Sequence, residues 1–296
     1  MNGIIERFVK DAPQPHPHVR APDRTIGTLL LEDGKLKAGD AERALRLAKD
    51  TGIRFGEACV QLKIVSPQDV ESALARQFDY PYLRSGQANL SEELVAAFDP
   101  FSMQVEALRA LRTQLLLRWF NADRKILAVV SPQRADGRSY LAANLAIVFS
   151  QLGERTLLID ADMRGARQHR IFNLPNRYGL SALLAGRSHG DAVVPIEEFN
   201  HLAVVPAGAT PPNPLELVSR PEFKDLLASE CQRFDIVLVD TPAAEMVSDA
   251  QTIVARTGGA LAVAREGRAR VSGLARLAQS IQGTQAELVG CVLNRY

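Results

Sequence analysis

Thr156-Leu-Leu-Ile-Asp160-Ala-Asp162-Met-Arg164 is the stretch that decides the fold, because an apolar run ends there in two carboxylates. The short run Thr156–Ile159 is typical of a buried parallel strand. Asp160 and Asp162 are two residues apart, and side chains at that spacing point to the same side of an extended backbone. This stretch therefore predicts a strand that presents paired acids at its carboxyl end.

Two further motifs flank this strand. The loop Ser131-Pro-Gln-Arg-Ala-Asp-Gly-Arg-Ser139 precedes it, and a second acid-tipped strand, Phe234-Asp-Ile-Val-Leu-Val-Asp240-Thr-Pro242, follows it. A phosphate-binding loop, paired acids and a further acid, each after its own strand, predict a site for a nucleotide and Mg²⁺.

Strand and helix patterns alternate from Lys125 onward. We expect the strands Ile126–Val130, Thr156–Ile159, Leu202–Pro206, Ile236–Val239, Leu261–Ala264 and Leu288–Leu293, with helices at Ser139–Leu152 and Pro221–Gln232. Continuously apolar strands separated by helices favour a parallel sheet covered on both faces. The predicted fold class is α/β, a doubly wound P-loop NTPase with a small, mainly helical N-terminal domain.

The residues Ala135-Asp136-Gly137-Arg138-Ser139 occupy the position of the P-loop pattern Gly-x-Gly-Lys-Ser. Backbone N–H groups of such a loop bind phosphates, the Lys reaches the terminal phosphates and the hydroxyl binds Mg²⁺. Arg138 keeps the positive charge of the Lys but is planar and bulkier. We predict nucleotide binding by residues 135–139 together with Tyr140.

The acids complete the predicted site. We expect Asp162 to hold Mg²⁺ directly or through water, with Asp160 as a further candidate, and Asp240 to act as the Walker B acid. Asp160 or Asp162 is also a candidate to accept the proton of an attacking hydroxyl. The predicted metal set is Ser139, Asp162 and Asp240, and the predicted catalytic set is Arg138, Asp160, Asp162 and Asp240. The alternative is a site that binds nucleotide but no longer catalyses a reaction.

Composition narrows the function classes. A net charge of +1 with 23% charged residues argues against a nucleic-acid partner. No apolar stretch approaches the roughly 20 residues of a spanning helix, and the proline-rich N-terminus is not a secretory signal. Three cysteines in apolar runs are typical of buried free thiols in a reducing compartment. We expect a cytoplasmic protein whose membrane association comes through a partner.

The domain prediction has four parts. Residues 1–23 read as an extended tail, 24–83 as a small helical domain, 84–100 as a linker and 101–296 as the nucleotide-binding domain. The small domain contains a repeat with an offset of 29 residues, in which Thr25-Ile-Gly27 aligns with Arg54-Phe-Gly56. Ser66-Pro-Gln-Asp69 is a strong helix start in its second copy.

The order of these motifs resembles the bacterial tyrosine kinases, relatives of the MinD/ParA ATPases. Pro211-Pro-Asn-Pro-Leu-Glu-Leu217 and the terminal Val292-Leu-Asn294-Arg295 carry the same resemblance, which is greatest to the EpsG-type chain-length-determinant kinases of exosortase-linked exopolysaccharide clusters. It implies an ATP- and Mg²⁺-dependent tyrosine autokinase that regulates exopolysaccharide polymerisation or export. It also implies adenine recognition by Asn294 and a membrane polysaccharide chain-length regulator as activator.

The segment Glu106-Ala-Leu-Arg109-Ala-Leu-Arg112 matches the Glu-x-x-Arg-x-x-Arg helix through which these kinases form rings. The resemblance therefore implies a homo-oligomer in which this helix faces a neighbour's nucleotide site. Tyr296 is the favoured phospho-acceptor, because a terminal residue can enter a neighbouring active site, and Tyr178 is its main rival.

The repeat at 24–83 resembles the MshE N-terminal domain of type II secretion ATPases, some members of which bind cyclic di-GMP. The second copy keeps Arg54, Gly56 and Gln77 of that pattern but has Lys63 in place of Gly. The first copy keeps Gly27 and Gly34 but has Thr25 and Ala48 in place of Arg and Gln. The resemblance implies a regulatory or docking domain whose ligand is either a protein partner or cyclic di-GMP.

Two other functions remain open at this point. A MinD/ParA-like switch ATPase would carry a signature Lys five positions before the P-loop Lys, where this chain has Gln133. A catalytically weak, nucleotide-sensing scaffold of the polysaccharide machinery is the other alternative.

Overall fold

The computed structural model describes residues 25–77, 83, 88–187, 192–245 and 248–295. The chain divides into two compact units, residues 1–82 and 83–296. The predicted tail at 1–23 and Tyr296 lie outside the described residues. No described helix has the length and apolar character needed to cross a membrane.

The small unit consists of α1 (Ile26–Glu32), α2 (Ala38–Thr51), α3 (Phe55–Gln61) and α4 (Pro67–Gln77). Helix α1 packs on α4, and α2 packs on α3, so each half of the repeat buries its apolar side against the other half. The buried core contains Leu29, Leu30, Leu36, Ala44, Ala58, Cys59, Val65 and Ala73.

The two copies of the repeat also share a backbone conformation at the turn between their helices. Gly34 has a φ of +66°, and Lys63, 29 residues later, has a φ of +56°. The turn between the helices thus needs a left-handed residue in both copies, although only the first copy supplies glycine. The predicted start of α4 also forms, with Asp69 N donating to Ser66 Oγ at 3.2 Å and Ser66 N donating to Asp69 Oδ2 at 3.0 Å.

The larger unit contains helices α5 (Val95–Phe98), α6 (Met103–Arg118), α7 (Arg138–Gln151), α8 (Gln168–Ile171), α9 (Leu180–Leu184), α10 (Pro214–Ser219), α11 (Pro221–Arg233), α12 (Asp249–Thr257) and α13 (Val271–Gln282). Its strands are β1 (Ile126–Val130), β2 (Thr156–Asp160), β3 (Val194–Pro195), β4 (Leu202–Val205), β5 (Ile236–Asp240), β6 (Gly259–Arg265) and β7 (Glu287–Asn294). The sheet order is β3-β4-β2-β5-β1-β6-β7, parallel except for the β3–β4 pair.

Strand β1 shows how both faces of the sheet are covered. Leu127 and Val129 belong to the core under α6 and α7, whereas Ala128 and Val130 belong to the core under α12 and α13. The predicted fold class and the parallel, doubly covered sheet are therefore confirmed.

The strand order positions the site. Strands β2, β5 and β1 are neighbours, and Asp160 is the register partner of Asp240. Because parallel strands end at the same edge, the loop after β1 and the acids of β2 and β5 meet there.

Two predictions differ from the structure at specific residues. Leu94, Ala96 and Ala97, in the predicted linker 84–100, are fully buried in the core of the larger unit. They are held there because Asn144 of α7 accepts a hydrogen bond from Ala96 N at 2.9 Å and donates one to the Glu93 carbonyl.

Of the three cysteines expected to be buried, only Cys59 is, while Cys231 is half-buried and Cys291 is exposed on the edge strand β7.

Candidate nucleotide site

The loop between β1 and α7 has the backbone of an anion-binding turn. Ala135 and Gly137 both have left-handed φ values, +60° and +100°, immediately before α7 begins at Arg138. Such turns direct successive N–H groups inward, and the helix N-terminus adds a partial positive charge. Ala135 adopts this conformation at the cost of about 1 kcal/mol that a Gly would avoid.

Arg138 is buried within its own loop. Its Nε donates to the Thr241 carbonyl at 2.7 Å, and Nη1 donates to Ser131 Oγ at 2.6 Å and to the Gln133 carbonyl at 3.2 Å. Its Nη2 lies 3.4 Å from Asp162 Oδ2. The guanidinium therefore joins the P-loop to β5 and to the acid after β2.

Asp160 is fully buried and holds the turn that follows it. Its Oδ1 accepts from Asp162 N at 3.2 Å, and its Oδ2 accepts from the N–H groups of Arg167 and Gln168, each at 3.0 Å. Burial raises the pKa of the Asp160 carboxyl well above its ordinary value, and the adjacent Asp240 raises that pKa further. Asp160 does not line the cavity described below, although it lies beside Asp240.

Of the three predicted acids, Asp162 is the one that lines the cavity. Its Oδ1 accepts from Gly165 N at 2.8 Å, and its Oδ2 faces Arg138. Asp240 lies one layer deeper, where burial raises its pKa and hydrogen bonds from Gln168 and the Ser139 side chain act in the opposite direction. The structure thus brings Arg138, Ser139, Asp162 and Asp240 together.

Gln168 is a site residue that sequence reasoning missed. Its fully buried Nε2 donates to Asp240 Oδ2 at 2.9 Å and to the Ser139 carbonyl at 3.1 Å. Gln168 lies in a polar segment after the Asp-x-Asp-x-Arg motif, and no sequence pattern in that segment predicts a role for it. Only the packing of α8 against α7 in the folded chain shows that Gln168 belongs to the site.

A cavity of about 780 Å³ opens in front of these groups. Its polar lining combines P-loop residues with Asp162, two acids and a set of arginines: Glu92, Glu93, Arg134, Arg138, Arg164, Arg167 and Arg265. Arg167 Nη2 donates to both carboxylate oxygens of Glu93, at 2.7 and 2.8 Å, within this lining. The volume and the excess of guanidinium groups suit a nucleotide polyphosphate.

The acids also suit Mg²⁺ bound together with phosphates. Asp240 Oδ1 is buried without a hydrogen-bond partner in the described structure, as a group oriented toward a metal-bound water would be. Within the described residues, no cluster of three or more His, Cys, Asp or Glu side chains forms a cage for a metal. Mg²⁺ is commonly held by one or two carboxylates plus substrate phosphates, so this donor set fits.

The remaining predicted binding residues surround the loop. Asp136 is buried and accepts from Gln133 N at 3.0 Å, and burial raises its pKa. Asn294 donates to the Asp136 carbonyl at 3.1 Å, which places the terminal strand against the P-loop. Tyr140 is partly buried in the cavity wall, and burial raises its pKa.

The three residues predicted for oligomerisation have different environments on α6. Glu106 is exposed and accepts from Arg109 at 2.9 Å. Arg112 donates to the Val148 carbonyl of α7 at 2.7 Å. This contact ties α6 to the P-loop helix within one chain.

No protein-family model matches this chain. Tyrosine-protein kinase YwqD of Bacillus subtilis is 32% identical over 207 residues, which cover 70% of this chain and 87% of YwqD. Tyrosine-protein kinase Wzc of Salmonella typhi is 36% identical over 173 residues, which cover 58% of this chain and only 24% of Wzc. The kinase domain of the Escherichia coli tyrosine kinase Etk superposes with a TM-score of 0.66 at 32% identity, over 68% of this chain and 79% of that domain.

Proposed function

The chain belongs to the bacterial tyrosine-protein kinases, and we propose that it is an ATP-dependent protein-tyrosine autokinase that regulates exopolysaccharide polymerisation or export. The observation that carries this proposal is the convergence of the P-loop turn, Arg138, Ser139 and Asp162 on one cavity, with Asp240 directly behind them. Phosphoryl transfer needs positioning and charge neutralisation more than covalent help from the protein, and this arrangement supplies both.

Each group has a proposed role. The N–H groups of the P-loop and of the α7 N-terminus bind the phosphates of ATP, and Arg138 holds the loop in its binding shape. Asp162 and Ser139 would hold Mg²⁺, with Asp240 behind them as the Walker B acid, and the ion would neutralise charge on the phosphates of ATP. Asp162 accepts the proton of the attacking tyrosine hydroxyl. Asn294 contributes to adenine recognition.

The proposed assembly is a homo-oligomeric ring in which Glu106, Arg109 and Arg112 face a neighbour's nucleotide site. A head-to-tail contact of this kind closes when the rotation permits. A membrane polysaccharide chain-length regulator acts as activator and brings the cytoplasmic kinase to the membrane. Tyr296 is the proposed acceptor in trans, with the exposed Tyr178 as its rival.

The finer family assignment is also a proposal. The sequence Gly137-Arg138-Ser139 resembles the P-loops of EpsG-type kinases and supports assignment to that subgroup. The interlocked helical repeat supports an MshE-like regulatory or docking domain at 24–83, whose ligand we propose to be a protein, with cyclic di-GMP as the alternative.

One observation supports a second candidate function. Arg138 uses its guanidinium on the loop, on Thr241 and on Asp162. Because these contacts hold the guanidinium in place, it is less able to stabilise the negative charge that develops on the transferred phosphoryl group. Arg138 therefore lowers the rate of phosphoryl transfer. If this effect abolishes phosphoryl transfer altogether, the protein is a nucleotide-sensing scaffold of the same polysaccharide machinery.

Radiolabelled phosphate transfer from Mg-ATP tests the proposal, with the full chain co-reconstituted with the chain-length regulator and phosphotyrosine mapped by mass spectrometry. Asp162→Asn is expected to abolish labelling, whereas Asp225→Asn, an exposed acid on α11, is expected to leave it intact. Mg-ATP binding without any phosphotyrosine would favour the scaffold. Absence of Mg-ATP binding would reject both functions.

A further inference from the structure

A second groove lies in the larger unit, formed by α9, the loop after β4 and α10. It encloses about 600 Å³ and shares no lining residue with the nucleotide cavity. Its charged lining consists of Arg177, Arg187, Arg220 and one acid, Glu216, all of them exposed. The groove therefore carries an excess of positive charge on a chain whose net charge is only +1.

The three guanidinium groups of the groove form no ion pair with the described residues. Among the described residues, none of Arg177, Arg187 and Arg220 forms an ion pair, whereas Arg155, Arg164, Arg167 and Arg233 elsewhere in the unit all do. Arg177 only lies over the Tyr178 ring, with Cζ at 5.4 Å from the ring centroid. Unpaired guanidiniums that share a concave surface are suited to binding an anion with several oxygens.

The walls of the groove are held rigidly. Leu180 N donates to the Pro206 carbonyl at 2.8 Å, and Ser181 N donates to the Ala207 carbonyl at 2.9 Å. Ser181 Oγ donates to the Ala209 carbonyl at 2.7 Å. A Cβ at Gly179 would lie 2.1 Å from the Pro206 oxygen, so only glycine permits this approach. A preformed site loses less entropy on binding than a flexible one.

The uncharged lining favours an aromatic ligand. Tyr178 is 51% exposed, and Pro211, Pro212 and Ala185 supply apolar surface beside the arginines. Aromatic rings pack on such surfaces, while guanidinium forks bind phosphate oxygens.

From this combination of phosphate-binding forks and ring-binding surface, we propose that the groove docks a phosphotyrosine side chain within a peptide segment. The proposal rests on the proposed kinase function for the source of that phosphotyrosine. A kinase with such a groove would retain its phosphorylated product on a surface that shares no residue with the cavity in front of the P-loop.

Fluorescence anisotropy with the full chain tests the proposal. The probes are a labelled Ala/Gly peptide with one phosphotyrosine and the same peptide with Tyr or with Glu at that position. Since the phosphopeptide is synthetic and no ATP is added, binding is measured whether or not the chain has kinase activity. A chain that lacks activity but binds the probe refutes only the proposed function, and an active chain that does not bind refutes only this inference.

We expect the phosphopeptide to bind at least tenfold more tightly than either comparison peptide. Arg177→Gln combined with Arg220→Gln should weaken binding at least tenfold. A control that removes the same charge from exposed positions on α6 and α13, Arg118→Gln with Arg276→Gln, should change binding less than twofold. Equal binding of the Glu peptide, displacement by Mg-ADP, or equal losses in the two double variants would each overturn the proposal.

Discussion

Gln168 Nε2 lies 2.9 Å from Asp240 Oδ2 and so connects the turn after β2 to the tip of β5. The same nitrogen lies 3.1 Å from the Ser139 carbonyl in the first turn of α7. One buried amide therefore holds three parts of the proposed site at fixed separation, without lining the nucleotide cavity itself. We infer that Gln168 is a positioning residue.

Replacing Gln168 with Leu keeps the side-chain size and removes both hydrogen bonds. We expect the free energy of unfolding to fall by about 1–3 kcal/mol, because Asp240 and the Ser139 carbonyl lose buried partners. Mg-dependent ATP affinity should fall as well. Urea denaturation and calorimetric titration measure the two effects. Gln251→Leu, at an exposed amide 3.4 Å from the Ser280 carbonyl, should stay within about 0.5 kcal/mol of wild type.

Arg138→Lys should have opposite effects on stability and activity. A Lys cannot span Ser131, Gln133 and Thr241 with one ammonium group, so we expect a loss of about 1–2 kcal/mol in unfolding free energy. The freed cation should raise the rate of phosphotyrosine formation. Arg138→Met should lower both quantities. A slower Lys variant would contradict the proposal that Arg138 tempers catalysis.

Lys63→Gly should stabilise the small unit, because Lys63 holds a left-handed conformation. Relief of that strain is expected to raise the free energy of unfolding by about 1 kcal/mol. The reverse change in the first copy, Gly34→Lys, should cost a similar amount, since Gly34 also has a positive φ. Chemical denaturation of the full chain, followed by a probe in the small unit, compares the two. Equal stability of both variants would argue against strain at this turn.

Gly259→Ala should destabilise the larger unit severely. A Cβ there would lie 2.1 Å from Trp119 Cζ2, and Trp119 is anchored by its Nε1 hydrogen bond to the Ile126 carbonyl. We expect a loss of about 2–3 kcal/mol, visible as a lower Tm. Gly39→Ala in α2 meets no atom within 4 Å and should be neutral or slightly stabilising.

Acid should weaken the larger unit through Asp235. Hydrogen bonds from Arg155, at 2.7 and 2.9 Å, lower the pKa of Asp235 below its ordinary value. A lowered folded pKa gives stabilisation that is present above the ordinary Asp pKa and is lost as pH falls through the folded value. Stability measured between about pH 6 and 3 should therefore decline less in Asp235→Asn than in wild type. Parallel declines would assign the acid sensitivity to other groups.

The sequence alone determined the parts of this protein that depend on local pattern. The apolar runs that end in Asp160 and Asp240 predicted two strands of a parallel sheet, because both the burial of a strand and the acid at its end can be read from consecutive residues. The loop before α7 and the 29-residue repeat were recognisable for the same reason. These features predicted the fold class and the edge of the sheet at which the candidate site lies.

The tertiary structure alone decided how the site is held together. Arg138 meets Thr241 across 103 residues of sequence, and Gln168 meets Asp240 across 72. Asp160 and Asp162 look equivalent in the sequence, yet backbone N–H groups occupy both oxygens of Asp160 while Asp162 reaches the cavity. These roles depend on which residues, distant in the sequence, come into contact in the folded protein. The pattern of neighbouring residues in the sequence does not encode those contacts.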